Sequence, residues 1–210
     1  MGFLTNWFSS LLELFRQVTG NYGVAIILLT LTYKVLLLPL TIAQRKSLNV
    51  MKELAPLQQQ IQEKYKDNPQ EASKKLTELY KEHNANPLGG CLLSLLQLPI
   101  GFILIGVMRS IDLEGTSFLW IKELTKPDII LALLTGVVAY FQMSLDTTNT
   151  STGKTNAYIF PAIITFMGIN FPAGFSLYIL MVYIISYIEV IVINSYLNKK
   201  KASVKGGAKK

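Results

Sequence analysis

The stretch "LLTLTYKVLLLPLTIAQRK", residues 28–46, sets Lys34 in the middle of an apolar run, and no other charged residue stands between Arg16 and Arg45. A lysine at the centre of a membrane helix costs at least about 2.5 to 3.5 kcal/mol on insertion scales, so such residues face protein or water rather than lipid. Arg45 lies about 16 Å further along the helix at 1.5 Å per residue, more than twice the reach of a lysine side chain. Snorkelling to the boundary is disfavoured, and a polar cavity around Lys34 is expected. Thr30 and Thr41 share its helix face and Gln44 continues the same side, so one flank of a greasy helix is polar.

Working outward, half of the 210 residues are hydrophobic and only 16% are charged. That is too little polar surface to cover a soluble globule of this size, and the chain reads as a compact membrane protein. About 20 apolar residues are needed per span. Five stretches qualify: 22–44, 90–109, 128–145, 156–171 and 173–197. "NFPAGF" between the last two is a Pro-Gly turn that makes them an antiparallel hairpin. Pro39, Pro99 and Pro161 fall within spans, where bent helices are expected.

Segment 45–89 carries eight basic residues and the tail after 197 carries six, whereas the three in 109–127 are balanced by Asp112, Glu114 and Glu123. The positive-inside rule then places the N-terminus outside and the C-terminus in the cytoplasm. Within 45–89, Leu54, Leu57, Ile61 and Tyr65 recur at helical spacing, Asn68-Pro69 interrupts, and Leu76, Leu79 and Tyr80 resume. This predicts a cytoplasmic helical hairpin, and its mixed charges predict a solvated, salt-bridged surface. The Lys/Gly/Ala tail cannot bury enough apolar area to fold by itself.

Residues 1–20 lack the pattern of a cleaved signal peptide. Most of Phe3, Leu4, Trp7, Phe8, Leu11, Leu12, Leu14 and Phe15 fall on one side and Asn6, Ser10, Glu13 and Gln17 largely on the other, which favours a helix lying in the membrane interface over a frayed terminus. The fold class expected is thus an all-α polytopic membrane protein, with five transmembrane helices, an N-terminal interfacial amphipathic helix and a cytoplasmic helical hairpin. Three segments follow: 1–20 the interfacial helix, 21–198 the core, and 199–210 a basic tail.

Candidate partners for Lys34 come from the other spans: Ser94 and Gln97 in the second, Gln142 in the third, Thr165 in the fourth, and Ser176, Ser186 and Glu189 in the fifth. Singly, each reads as an ordinary interhelical hydrogen bond. Around a central lysine they suggest a hydrated pocket. Glu189, the only acid of the fifth span, lies ten residues before Lys199, about 15 Å from the boundary, which is nearly the depth of Lys34. Two readings stay open: a direct or water-bridged Lys34–Glu189 pair in the empty site, or a Glu189 that points elsewhere on its helix, protonated or hydrogen-bonded to a tyrosine or serine.

Covalent chemistry finds no candidates. Cys91 and His83 are single, so thiol or His-based metal centres are not expected, and no cofactor is expected. Gly153-Lys154-Thr155 lacks the first glycine of a Walker motif and reads as a loop. "LGGC" at 88–91 is not a lipoprotein box, because its apolar segment follows the cysteine, and Asn6 stands where myristoylation needs a hydroxyl.

"GNYGVAIILLTLTYKVLLLPLTIAQRKS" (20–47), "YKEHNANPLGGCLLSLLQLPI" (80–100) and "NFPAGFSLYI" (170–179) together resemble the three signature regions of the YidC family of membrane protein insertases, related to the Oxa and Alb proteins. The resemblance is collinear over about residues 18 to 198. It implies a five-helix core around a hydrophilic groove, with Lys34 where the family most often has arginine, and a short form like those of Gram-positive bacteria. It implies a non-enzymatic insertase and chaperone of the cell membrane, acting on nascent membrane proteins, alone or with the Sec translocon. Ribosome contact through the basic tail and hairpin, and contact with membrane lipids, are expected; DNA is not. The groove set is Lys34, Thr30, Thr41, Ser94, Gln97, Gln142 and Glu189. A small solute transporter or channel is the alternative, though the inverted repeats or paired broken helices expected of one are not found.

Overall fold

The computed structural model describes residues 2–83, 85, 99–108, 115–146 and 151–207. Among the described residues there are seven helices and no strand. They are α1 (Gly2–Thr19), α2 (Tyr22–Lys64), α3 (Pro69–Glu82), α4 (Pro99–Met108), α5 (Ile129–Asp146), α6 (Ser151–Asn170) and α7 (Ala173–Gly207).

Gly20 ends α1 with a left-handed φ of +71°, which glycine adopts without a Cβ clash. Asn21 then caps α2, its side-chain oxygen accepting from the backbone N–H of Gly23 at 2.7 Å and of Val24 at 3.3 Å. From there α2 runs unbroken for 43 residues, about 64 Å at 1.5 Å per residue, roughly twice the hydrocarbon thickness of a bilayer. Pro39 and Pro56 sit inside it. The first span and the first helix of the charged segment are therefore one rod. Asn68 caps α3 with Pro69 in its first turn and Glu71 N–H bound at 3.2 Å, as the Asn-Pro pair predicted. Leu54 on α2 and Leu79 on α3 are buried, and Lys75 bonds Glu78 at 2.7 Å on the surface. That bond holds the exposed Glu78 carboxyl below and the Lys75 ammonium above its usual range.

Two helices, Tyr22–Lys64 and the Ala173–Leu197 part of α7, are long and apolar enough to cross a membrane; Pro99–Met108, Ile129–Leu145 and Ala157–Asn170 are shorter apolar helices. Their outward faces are greasy: Val35 and Leu36 on α2, Ile130 and Phe141 on α5, Phe166 on α6 and Val192 on α7 are all exposed. So much contiguous exposed apolar surface fits a hydrocarbon solvent rather than water.

The core joins Phe8 and Leu12 of α1, Ile26 and Leu29 of α2, Leu104 and Val107 of α4, Ile121 and Leu124 of the following loop, and Tyr178 of α7. The loop pins the N-terminal starts of α2 and α7. Asn21 donates to Ser117 O at 3.0 Å, while the N–H groups of Ala173 and Gly174 donate to Lys126 O and Leu124 O at 2.9 and 3.0 Å. Gly23 packs so closely against the Phe118 ring that a Cβ there would overlap it. Between α5 and α6, small residues allow close approach: a Cβ on Gly168 would come within 2.8 Å of the Ala132 Cβ, and one on Gly136 would fall on the Thr165 hydroxyl.

One expectation is corrected, and the tail, which cannot fold by itself, is carried by the helix before it. Residues 153–155 lie in the first turns of α6 instead of a loop. The apolar run that follows supplies the helix nucleus, and extending a formed helix backward by one turn is easy even through a glycine. The lysine-rich tail likewise continues α7 to Gly207. It needs no apolar burial of its own, because Lys and Ala are strong helix formers added to an existing helix.

Candidate functional site

Lys34 lies on α2 with Tyr22 and Asn21 one way and the long polar extension the other, and it is buried, 5% exposed. Its ammonium donates to Ser186 Oγ at 2.6 Å and to Glu189 Oε2 at 3.3 Å, both on α7. Ser186 and Glu189 are three residues apart, so the helix itself presents them on one face. Glu189 is 9% exposed. The pair that sequence depth alone left open is thus a direct one, with a serine as third member.

The polar stripe on α2 is longer than the sequence reading made it. Thr30, Lys34, Thr41 and Arg45 are all buried, and spacings of 4, 7 and 11 keep them within a narrow sector of a 3.6-residue helix. Thr30 and Thr41 return their hydroxyls to their own helix, at Ile26 O (2.7 Å) and Leu37 O (3.2 Å), which lets them be buried without a partner across the interface. Arg45 was read only as a boundary charge; its spacing of 11 from Lys34 was the signal for a shared face.

Contacts on either side of the site show that α2 and α7 run parallel. Tyr33 OH donates to Tyr178 OH at 3.3 Å, and Asn49 Nδ2 donates to Asn194 Oδ1 at 3.1 Å, so residue numbers rise together along both helices. Neither the tyrosine nor the asparagine pair was singled out from sequence, because each is an ordinary residue until the register of two distant helices is known.

Gln142 is buried on α5, a helix that packs against α7. Two other polar groups turn away from the lysine. Thr165 bonds Pro161 O at 2.9 Å within α6, and Ser176 reaches Gly168 O at 3.4 Å near the α6–α7 turn. Ser94 and Gln97 lie outside the described residues. Among the described residues no group of three or more His, Cys, Asp or Glu side chains could hold a metal ion. What the arrangement offers is a desolvated ammonium held by one hydroxyl and one carboxylate, with the buried Arg45 further along the same helix face. Such a cation can bind anions.

The comparisons with known proteins follow the same lines. Residues 14–201 match the family described as "60Kd inner membrane protein". A "Membrane protein insertase YidC" of Helicobacter pylori (strain ATCC 700392 / 26695) is 41% identical over 198 residues, covering 91% of this chain and 36% of that protein. One of the same name from Fusobacterium nucleatum subsp. nucleatum is 40% identical over 190 residues, covering 89% of this chain and 92% of the relative. The chain therefore spans little more than a third of the Helicobacter relative and nearly all of the Fusobacterium one. A solved structure, "Active YidC insertase crystal structure with the first transmembrane domain resolved", superposes with a TM-score of 0.74 at 31% identity, over 88% of this chain and 45% of that one. With the family pattern covering most of its length and relatives at 40% identity, the chain belongs to the 60Kd inner membrane protein family, that of the YidC insertases.

Proposed function

We propose that the protein is a membrane protein insertase and chaperone that carries the polar flanks of small membrane proteins into the bilayer. The observation that bears most weight is the buried Lys34 ammonium on α2, held by Ser186 and Glu189 of α7 inside an apolar-sided bundle. Relatives named insertases support the same reading.

In this reading five transmembrane helices surround a hydrophilic groove lined by Lys34, Thr30, Thr41, Ser94, Gln97, Gln142 and Glu189. Helix α1 lies in the outer interface, and the α2 extension with α3 forms a cytoplasmic hairpin. The protein sits in the cell membrane as a multi-pass protein, N-terminus outside and C-terminus in the cytoplasm, as the lysine and arginine distribution suggests.

Without a nucleotide site, the work comes from binding and partition. A polar groove part-way across the membrane solvates the client's hydrophilic flank and so shortens the hydrocarbon barrier, since unsatisfied polar groups in lipid cost several kcal/mol each. Burial of the client's own apolar span in lipid, at about 25 cal/mol per Å², then drives release. Lys34 attracts acidic residues of the flank as a point charge, without the two-pronged geometry of a guanidinium. Nascent membrane proteins are the clients, delivered alone, beside the Sec translocon, or from ribosomes held by the basic tail and hairpin.

The test is reconstitution of the protein alone in liposomes with a small single-span client. Insertion of the client to a protease-protected product is expected; solute flux without insertion would overturn the reading in favour of a transporter.

A further inference from the structure

A client's acidic flank does not meet a bare cation. The Lys34 ammonium has three N–H donors, two of which are already placed, on Ser186 and on Glu189. We propose that Glu189 is a built-in competitor of the client's carboxylate: it occupies Lys34 in the resting protein and thereby sets how acidic a flank must be to bind.

This inference rests on the insertase reading and gives a role to a buried acid that the reading alone leaves without one. Three features support it. First, the two contacts are unequal. The 2.6 Å bond to Ser186 is short, while 3.3 Å to Glu189 is longer than the roughly 2.7 to 2.9 Å of a tight charge-assisted bond. The carboxylate is thus the looser of the two partners, and the serine can hold the ammonium in place while the carboxylate is exchanged.

Second, both charged groups are buried, at 5% and 9% exposure. A buried cation left alone would bear a desolvation penalty of several kcal/mol, and an internal counter-ion offsets part of it. The Lys34–Glu189 pair is neutral as a unit, which keeps Lys34 from trapping any stray anion. Third, Glu189 is tethered to α7, so its effective concentration at Lys34 is in the millimolar range or above by the usual arithmetic of short tethers. A flank with a single weakly placed carboxylate loses that competition; a flank with clustered acids wins it. Selectivity for acidic flanks then depends on the difference between two carboxylates, and Glu189 acts only through Lys34.

The experiment compares insertion of one single-span client carrying either an acidic or a neutral translocated flank into liposomes containing the full-length protein, and reads the acidic-to-neutral ratio. Glu189→Gln is expected to raise that ratio by about threefold or more, in line with the coupling of contacting residues. Glu189→Asp, which keeps the charge but shortens the reach, is expected to fall between Gln and wild type, and it carries the test should the Gln variant fail to fold. In a Lys34→Ala background Glu189→Gln is expected to leave the ratio where Lys34→Ala puts it. A ratio that stays level or falls in Glu189→Gln, or in Glu189→Asp if only that folds, overturns the competitor role, as does an increase that persists without Lys34. If Lys34→Ala itself leaves the ratio at the wild-type value, it is the groove reading that fails, and the two failures are told apart.

Discussion

Asn49 of α2 and Asn194 of α7 meet side chain to side chain at 3.1 Å, beyond Lys34 along the same helix contact. With Tyr33 and Tyr178 on the other side, this pair brackets the lysine between two fixed points of register. Sliding α2 against α7 by one turn would separate Lys34 from both Ser186 and Glu189, so the two amides help position the charge. Asn49→Ala and Asn194→Ala are each expected to lower stability in detergent by about 0.5 to 1 kcal/mol, the usual worth of an interhelical hydrogen bond, and the double variant by less than their sum. Thermal unfolding of the four proteins checks this; strict additivity would show that the contact is not made.

Close packing of α5 on α6 should be intolerant of side-chain volume. Gly136→Ala places a methyl on the Thr165 hydroxyl, and that hydroxyl is already engaged with Pro161 O. A loss of about 1 to 3 kcal/mol is expected from such overpacking, with part of it restored by adding Thr165→Ala. Unchanged thermal stability in Gly136→Ala would mean that the helices are further apart than the structure has them.

Helix α1 has three faces: Phe8 and Leu12 buried in the core, a polar side with Glu13 and Arg16 joined at 2.9 Å, and an exposed apolar stripe of Phe3, Trp7, Leu14 and Val18. The stripe fits a headgroup interface, where tryptophan is favoured. In a Trp120→Phe variant, which leaves Trp7 as the sole tryptophan, fluorescence in liposomes is expected to be quenched by lipids labelled near the headgroup. Quenching by aqueous acrylamide alone would place α1 in water.

Much of this was legible in the sequence, for reasons that differ by element. The apolar helices α2 and α7 announced themselves by length and apolar content, and the α3 start by Asn68-Pro69, because these signals are local. Lys34 was conspicuous for its insertion cost, and Glu189 could be matched to it by depth counted from the flanking lysines, a one-dimensional measure that needs no contact map. Ser186 as third member, Arg45 as a buried residue of the same stripe, and the Tyr33–Tyr178 and Asn49–Asn194 contacts depend on the rotation and register of α2 against α7. Those are tertiary quantities, and composition does not carry them. The helical start at 153–155 departs from the loop expected there because propensity was judged on that segment alone, without the helix formed beside it.

The tail carries six lysines, of which Lys199, Lys200, Lys201 and Lys205 lie within the last turns of α7. Electrostatic binding to ribosomal RNA or anionic lipid releases counterions and falls steeply with salt. Truncation after Leu197 is expected to weaken co-sedimentation with ribosomes at low salt, with the difference vanishing as salt rises, and to spare clients delivered after synthesis. Co-sedimentation that truncation leaves unchanged would take the tail out of ribosome binding.

If Lys34 serves as a charge rather than as a shape, its substitutions should separate clients by the sign of their flanks. The decisive measurement is liposome insertion of matched acidic-flanked and neutral-flanked clients by wild type, Lys34→Arg and Lys34→Ala. Lys34→Arg is expected to insert both normally. Lys34→Ala is expected to lose about tenfold on the acidic client, near 1.4 kcal/mol, and far less on the neutral one, since only a carboxylate feels the missing charge in a weakly screened site. Equal loss on both clients, or none on either, would contradict a role for the Lys34 charge in recognising the flank.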